Sequence, residues 1–145
     1  MIVENRRARF EYHILESFEA GLVLTGTEVK SMRAGGVSLS EAYARFRDGE
    51  AWLLGMHIPP YKQGSFSNAE PNRPRKLLLH KEEIARLQNR VGEKGLTIVP
   101  LRLYFTRGIA KVQLGVARGK KLWDKRADAA KRDVEREIAA HVRRS

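Results

Sequence analysis

Hydrophobic and polar positions alternate from residue 10 to about 24. Phe10, Tyr12 and Ile14 are separated by Glu11 and His13, the period of two that a half-buried strand requires. Gly21 marks an expected bend or bulge in that strand. The period then changes. Thr25, with Glu28 three residues on, is the signature of a helix start in which hydroxyl and carboxylate each satisfy a backbone N–H. Val29 and Met32 share a helical face, and Gly35-Gly36 stops the turn. Ala42, Ala44 and Phe46 alternate before Arg47-Asp48-Gly49-Glu50, and Ala51 and Leu53 alternate after it. An Asp-Gly pair between two such runs predicts a hairpin. Its second strand continues to Ile58 and ends at Pro59-Pro60. Residues 61–75 are rich in Gly, Ser, Asn and Pro and predict a long loop, either mobile or functional.

Leu77, Leu78 and Leu79 lead into a second helix, about residues 80–92. Its apolar stripe is Ile84, Leu87 and Val91, and Glu82 and Glu83 sit in the first turn, where carboxylates suit the helix dipole. A second hairpin spans about 96–117, with Leu101, Leu103 and Phe105 before Arg107-Gly108 and Val112, Leu114 and Val116 after it. Five or six strands, two short helices and no βαβ alternation predict a mainly β fold. The economical form is a closed antiparallel barrel of the oligonucleotide/oligosaccharide-binding type, because closure removes sheet edges. The barrel domain is expected at 1–117 and a basic tail at 118–145. That tail holds ten basic and five acidic side chains, and its only apolar face is Ala127, Ala130, Val134 and Ile138. So thin a stripe predicts a segment that is disordered alone and helical on a partner; an ordinary C-terminal helix packed on the barrel is the other reading.

Composition narrows the class. The chain has 145 residues, one domain's length, and 42% of them are hydrophobic, enough for a core without disulfides or metal. There is no cysteine, which excludes a disulfide framework, a thiol nucleophile and thiolate metal sites. No apolar run approaches the roughly 20 residues of a membrane span, and no apolar stretch follows the early charges as in a signal peptide. A cytoplasmic protein is expected. Lys and Arg total 28 against 17 acidic residues, a net charge of +11. Such an excess suits a polyanion, since each neutralised phosphate releases condensed counterions, but it does not choose among RNA, DNA and anionic lipid.

No catalytic centre emerges. The four histidines, His13, His57, His80 and His141, share no ligand spacing, so neither a metal nor a cofactor is expected. Gly21 to Thr27 imitates a phosphate loop but lacks the lysine that would meet the terminal phosphates. The basic clusters carry more. Arg6, Arg7 and Arg9 precede the first strand; Lys30 and Arg33 lie a turn apart on the first helix; Arg73, Arg75 and Lys76 close the long loop; Arg118, Lys120 and Lys121 open the tail. Together they predict one RNA-facing surface, with guanidinium groups suited to gripping phosphates. Gly119 would let the backbone approach a partner closely. Trp123 stands among Lys121, Asp124, Lys125 and Arg126 with little other bulk nearby. It is either a stacking platform for a nucleobase or an anchor pinning the tail to the barrel.

Several strings together resemble one family: Asn5-Arg6-Arg7-Ala8-Arg9, Phe18-Glu19-Ala20-Gly21, Gly26-Thr27-Glu28-Val29-Lys30-Ser31, Arg47-Asp48-Gly49-Glu50-Ala51, Arg75-Lys76-Leu77-Leu78-Leu79, and Gly119-Lys120-Lys121 with Asp124-Lys125-Arg126. In order and spacing they are similar to the SsrA-binding protein (small protein B) family over nearly the whole chain. The resemblance implies a barrel with a basic tail that binds the elbow of the tRNA-like domain of transfer-messenger RNA. It implies a non-enzymatic adaptor that carries this RNA to ribosomes stalled on messages without a stop codon. It assigns RNA binding to Asn5, Glu19 and Leu78, and places Lys111 and Arg118 on the RNA face. A carboxylate such as Glu19 can accept from an exocyclic base amine, which a cation cannot do. Gly119, Lys120, Lys121, Trp123, Asp124, Lys125 and Arg126 match the segment placed near the decoding centre on small-subunit rRNA. The family carries tyrosine or histidine where this chain has Trp123, a larger ring with the same stacking plane. The implied partners are transfer-messenger RNA and the ribosome, without a membrane, cofactor or small-molecule substrate. Two other readings are a ribosomal-protein or initiation-factor-like barrel on rRNA, and an RNA-processing enzyme. The enzyme lacks a credible acid, base or metal site.

Overall fold

The structure, a computed structural model, describes residues 3–61, 70–92 and 95–120. In chain order the elements are β1 (Val3–Glu4), α1 (Arg6–Glu11), β2 (Tyr12–Leu22), α2 (Gly26–Ala34), β3 (Tyr43–Arg47), β4 (Glu50–Leu54), β5 (Arg75–Leu78), α3 (Lys81–Val91), β6 (Leu96–Thr106) and β7 (Ile109–Gly119). The seven strands make one antiparallel sheet in the order β1-β6-β7-β2-β5-β4-β3. Leu53, Leu77, Leu103, Val112 and Leu114 cover its inner face and are fully buried, with Met32 of α2 and Leu87 of α3.

The elements with strong local signals form as expected. Thr25 caps α2 with its hydroxyl, Glu28 returns its carboxylate to the Thr25 N–H at 2.9 Å, and Gly35 ends the helix at φ +97°. Asp48-Gly49 and Arg107-Gly108 turn the two hairpins, all four residues having positive φ. Lys81–Val91 is the second expected helix, its acidic first turn in place.

Several expectations need correction. The strand expected from residue 10 is β2 and begins at Tyr12, because Asn5 caps a helix that takes in Phe10 and Glu11; a two-residue strand, β1, precedes that helix. Among the described residues there are therefore three helices. The bulge in β2 falls at Leu15, where the register shifts, and Gly21 pairs regularly with both neighbours. Gly21 instead makes room: a Cβ there would lie 3.1 Å from the Leu78 side chain. β4 stops at Leu54, short of Ile58, since Gly55 takes φ +77° where a Cβ would meet the Glu41 carbonyl at 2.4 Å. Arg75–Leu78 is a strand between β2 and β4, not a lead into the helix. β7 runs past the expected boundary at 117, because Arg118 and Gly119 still find register partners in His13 and Tyr12. Residues 62–69 of the long loop, and the tail from 121 on, lie outside the described residues.

The sheet is not closed. β3 curls round until it approaches β6, beside the two-residue edge strand β1, yet no ladder joins them among the described residues. A groove lined by Tyr43 on one side and Thr97 and Val99 on the other marks this seam. The expected closed barrel is thus an open, strongly curved sheet. α1 lies across its gap.

Candidate nucleic-acid interface

Inward residues of the sheet make the core, so their neighbours in sequence make an outer face. Register aligns that face strand by strand. Tyr104 of β6 pairs with Lys111 of β7, Lys111 with Gly21 of β2, and Gly21 with Leu78 of β5. Two residues on, Lys76 pairs with Trp52 of β4 and Trp52 with Arg45 of β3. Glu19, Lys76, Leu78 and Lys111 line one groove of about 550 Å³. Four residues singled out from sequence therefore converge.

The groove combines three chemistries. Leu78 is 53% exposed, far more than an apolar strand residue needs to be. Lys76 and Lys111 supply cations on either side. Glu19 supplies the carboxylate; it accepts a hydrogen bond from the Tyr104 hydroxyl and lies 3.9 Å from Lys111 Nζ. Burial, and next the bond to Glu19, push the Tyr104 phenol up to about 12, so it remains a donor at neutral pH. Tyr104 was not among the residues picked out from sequence. Its signal was there: a polar aromatic on the outer side of a strand whose inner side is Leu101, Leu103 and Phe105.

Sequence assignments at two places, Arg73 with Arg75 and then Asn5, point elsewhere. Arg75 has no exposed surface, so its guanidinium cannot meet a phosphate on the protein surface. It donates to Glu28 Oε2 at 2.7 Å, to the Met56 carbonyl at 2.6 Å and to the Pro71 carbonyl at 3.0 Å. Arg73 joins the same carboxylate through Nε at 3.2 Å. Burial lowers the Arg75 pKa while Glu28 raises it, and the balance is downward. These arginines hold α2 against β5 and the segments that carry Met56 and Pro71. The second is Asn5, which is 4% exposed with both ends of its amide engaged. Nδ2 donates to the Leu39 carbonyl at 3.1 Å and the Pro100 carbonyl at 2.8 Å, while Oδ1 accepts from the Ala8 N–H at 3.2 Å.

The remaining cations are spread. Arg6, Arg7 and Arg9 lie exposed on α1. Arg7 bridges Glu11 at 2.9 Å and also pairs with Glu41, and these bonds raise its pKa; Arg9 lies 3.8 Å from Glu4. Arg118 is exposed at the end of β7, and Lys120 reaches back to the Arg9 carbonyl at 3.3 Å, so these two sit beside α1. Lys30 and Arg33 form a separate exposed pair on α2, over the rings of Tyr61 at 5.9 Å and Phe105 at 5.2 Å. The basic residues thus do not form the single surface expected: Arg73 and Arg75 turn inward, and the others occupy the groove, the α1 end and α2. A Cβ at Gly119 would meet no atom within 4 Å, so packing among the described residues does not demand glycine there. Lys121, Trp123, Asp124, Lys125 and Arg126 lie outside the described residues.

Comparison with known proteins agrees in one direction. The family model described as "SmpB protein" matches residues 2–144. The SsrA-binding protein of Desulforudis audaxviator is 59% identical over 142 residues, covering 98% of this chain and 93% of that protein. That of Carboxydothermus hydrogenoformans is 57% identical, covering 99% and 96% respectively. A chain in the solved structure presented as "tmRNA-SmpB: a journey to the center of the bacterial ribosome" is 59% identical, with a TM-score of 0.71 over 83% of this chain and 85% of its own. With a full-length family match and relatives at this identity, the chain belongs to the SmpB family of SsrA-binding proteins.

Proposed function

We propose that this protein is a non-enzymatic adaptor in the cytoplasm: it binds the tRNA-like domain of transfer-messenger RNA and brings it to stalled ribosomes for trans-translation. The observation that carries this reading is the family match over residues 2–144. The outer-face groove supplies the chemistry. Lys76 and Lys111 meet phosphates, Leu78 packs against an exposed sugar or base, and Glu19 accepts from a base amine at the RNA elbow. Tyr104 holds the Glu19 carboxylate in position. Asn5, Arg73 and Arg75 serve binding indirectly, by fixing the sheet that presents the groove. Gly119 and Lys120 lead into the segment proposed for the decoding centre, where Lys121, Lys125 and Arg126 hold rRNA phosphates and Trp123 stacks.

The test is which RNA copurifies. Transfer-messenger RNA at about one per protein supports the adaptor; mature rRNA alone would replace it with an rRNA-binding protein. Within the groove, Lys76→Ala should reduce the slope of log affinity against log salt by about 0.7–0.9. Glu19→Ala should weaken binding at nearly constant slope. Tighter binding of Glu19→Ala to every RNA would reduce that residue to simple repulsion.

A further inference from the structure

The groove at Glu19 and Leu78 does not end the outer face. A second groove of about 730 Å³ opens over the β3–β4 hairpin, lined by Arg45, Arg47, Trp52 and Pro74 among others. Glu50 lines both grooves. Trp52 is the register partner of Lys76 on one side and of Arg45 on the other, so all three side chains project from the same face of adjacent strands. The indole is half-buried, with part of it open to the groove.

The charges here are unequal in availability. Asp48 lies 3.8 Å from Arg47, its neighbour in sequence, and Glu50 is paired with Lys76 at 3.3 Å. Arg45 is exposed and makes no ion pair among the described residues, and it stands directly across from the indole. An exposed guanidinium beside an accessible aromatic ring suits a nucleotide: the ring takes the base and the cation takes its phosphate.

We propose that the RNA face continues over β4 and β3, where Trp52 stacks on an unpaired base of the same bound RNA and Arg45 holds the adjoining phosphate. This rests on the groove of Glu19 and Leu78 being the RNA site. Continuity is what selects the occupant. A strand of RNA crossing Lys76 meets Trp52 next, within one strand spacing of about 5 Å.

The experiment titrates a synthetic tRNA-like domain of transfer-messenger RNA into wild type, Trp52→Ala, Trp52→Phe and Arg45→Ala, with a thermal melt of each. Trp52→Ala should bind about 5- to 100-fold more weakly, and Trp52→Phe should recover most of that loss. Wild-type tryptophan emission should fall on binding by more than that of Trp52→Phe, the difference reporting the indole at 52. Arg45→Ala should lower the salt slope by about 0.7–0.9. If Trp52→Ala melts early, the emission difference and the Arg45→Ala slope decide. Wild-type binding with no emission difference and an unaltered Arg45→Ala slope overturns the extension and leaves this face to a protein partner. Failure of the wild type itself to bind that RNA would sink the adaptor reading instead.

Discussion

Burial pushes the Glu28 carboxyl up, but hydrogen bonds from Arg73, the Thr25 backbone and Arg75 outweigh it and hold the pKa below its ordinary value of 4.5. Folding therefore favours the ionised form. The stabilisation is complete above the unfolded value and is lost as pH falls through the folded one. Glu28→Gln leaves the Arg75 guanidinium buried without its counter-charge, which should cost about 3–5 kcal/mol at neutral pH. Urea unfolding at pH 7 and pH 4 checks both claims: wild type should lose more stability on acidification than the variant, and equal losses would show that Glu28 is not the titrating group. Arg75→Ala should impair RNA binding only through this loss of stability, with the salt slope intact, unlike Lys76→Ala. The carboxylate in the groove is held differently. Tyr104, with its pKa at about 12, remains protonated and donates to Glu19 throughout the physiological range. Tyr104→Phe removes one hydrogen bond worth about 1 kcal/mol, so affinity for the tRNA-like domain should fall roughly fivefold at constant salt slope. Unchanged affinity would mean that Glu19 needs no positioning.

α1 is a clamp more than a helix. At six residues it is too short to be stable alone, and its N-cap side chain carries the anchoring. Asn5 joins the loop before β3, through Leu39, to the β6 bulge, through Pro100, at the place where a closed barrel would have ladder bonds. The Arg7–Glu41 pair spans the same seam on the outside. Asn5→Ala should cost about 2–4 kcal/mol, because it removes the helix cap and three buried hydrogen bonds, to the Leu39 and Pro100 carbonyls and from the Ala8 N–H. A calorimetric melt measures it, and RNA affinity should fall only in step with the folded fraction. The contrast explains what the sequence reveals. α2, α3 and both hairpins rest on residues within a few positions of one another, such as Thr25 with Glu28 or Asp48 with Gly49, and periodicity finds them. β5 and the seam rest on distant partners. Arg75 meets Glu28 across 47 positions, and Asn5 meets Pro100 across 95. Residue type alone puts an arginine outside; only the fold supplies the carboxylate that brings it in. The groove was legible in part, because the family resemblance pointed to Leu78 and Glu19, whereas Trp52 sits in a strand pattern that gives no sign of its partners.

At the scale of the molecule, the proposed function divides two tasks between the sheet and the stretch after it. Among the described residues, 3–120 carry a seven-stranded sheet and two buried clusters, and Lys120 fastens the end of β7 to α1 through its N–H, 2.8 Å from the Glu11 carbonyl. A chain ending at Lys120 should therefore melt near the full-length temperature and still bind the tRNA-like domain. A large drop in thermal stability would mean that the segment beyond packs on the sheet. What this chain should lose is tagging, since the residues proposed for the decoding centre begin at Gly119. Trp123 tests that proposal more finely than truncation does, because one side chain is changed while the charges of Lys121, Lys125 and Arg126 remain. Base–aromatic stacking is worth about 1–3 kcal/mol, so its loss slows accommodation roughly five- to a hundredfold if fully felt in the transition state. Trp123→Ala should spare folding and binding of transfer-messenger RNA while slowing peptide tagging on stalled ribosomes by that factor. Trp123→Tyr and Trp123→His should retain much of the rate, because each keeps a planar ring. A reconstituted tagging assay run beside an RNA titration separates the outcomes. Tagging by Trp123→Ala at the wild-type rate removes the stacking role, and a loss of RNA binding or an early melt assigns the indole to the folded domain.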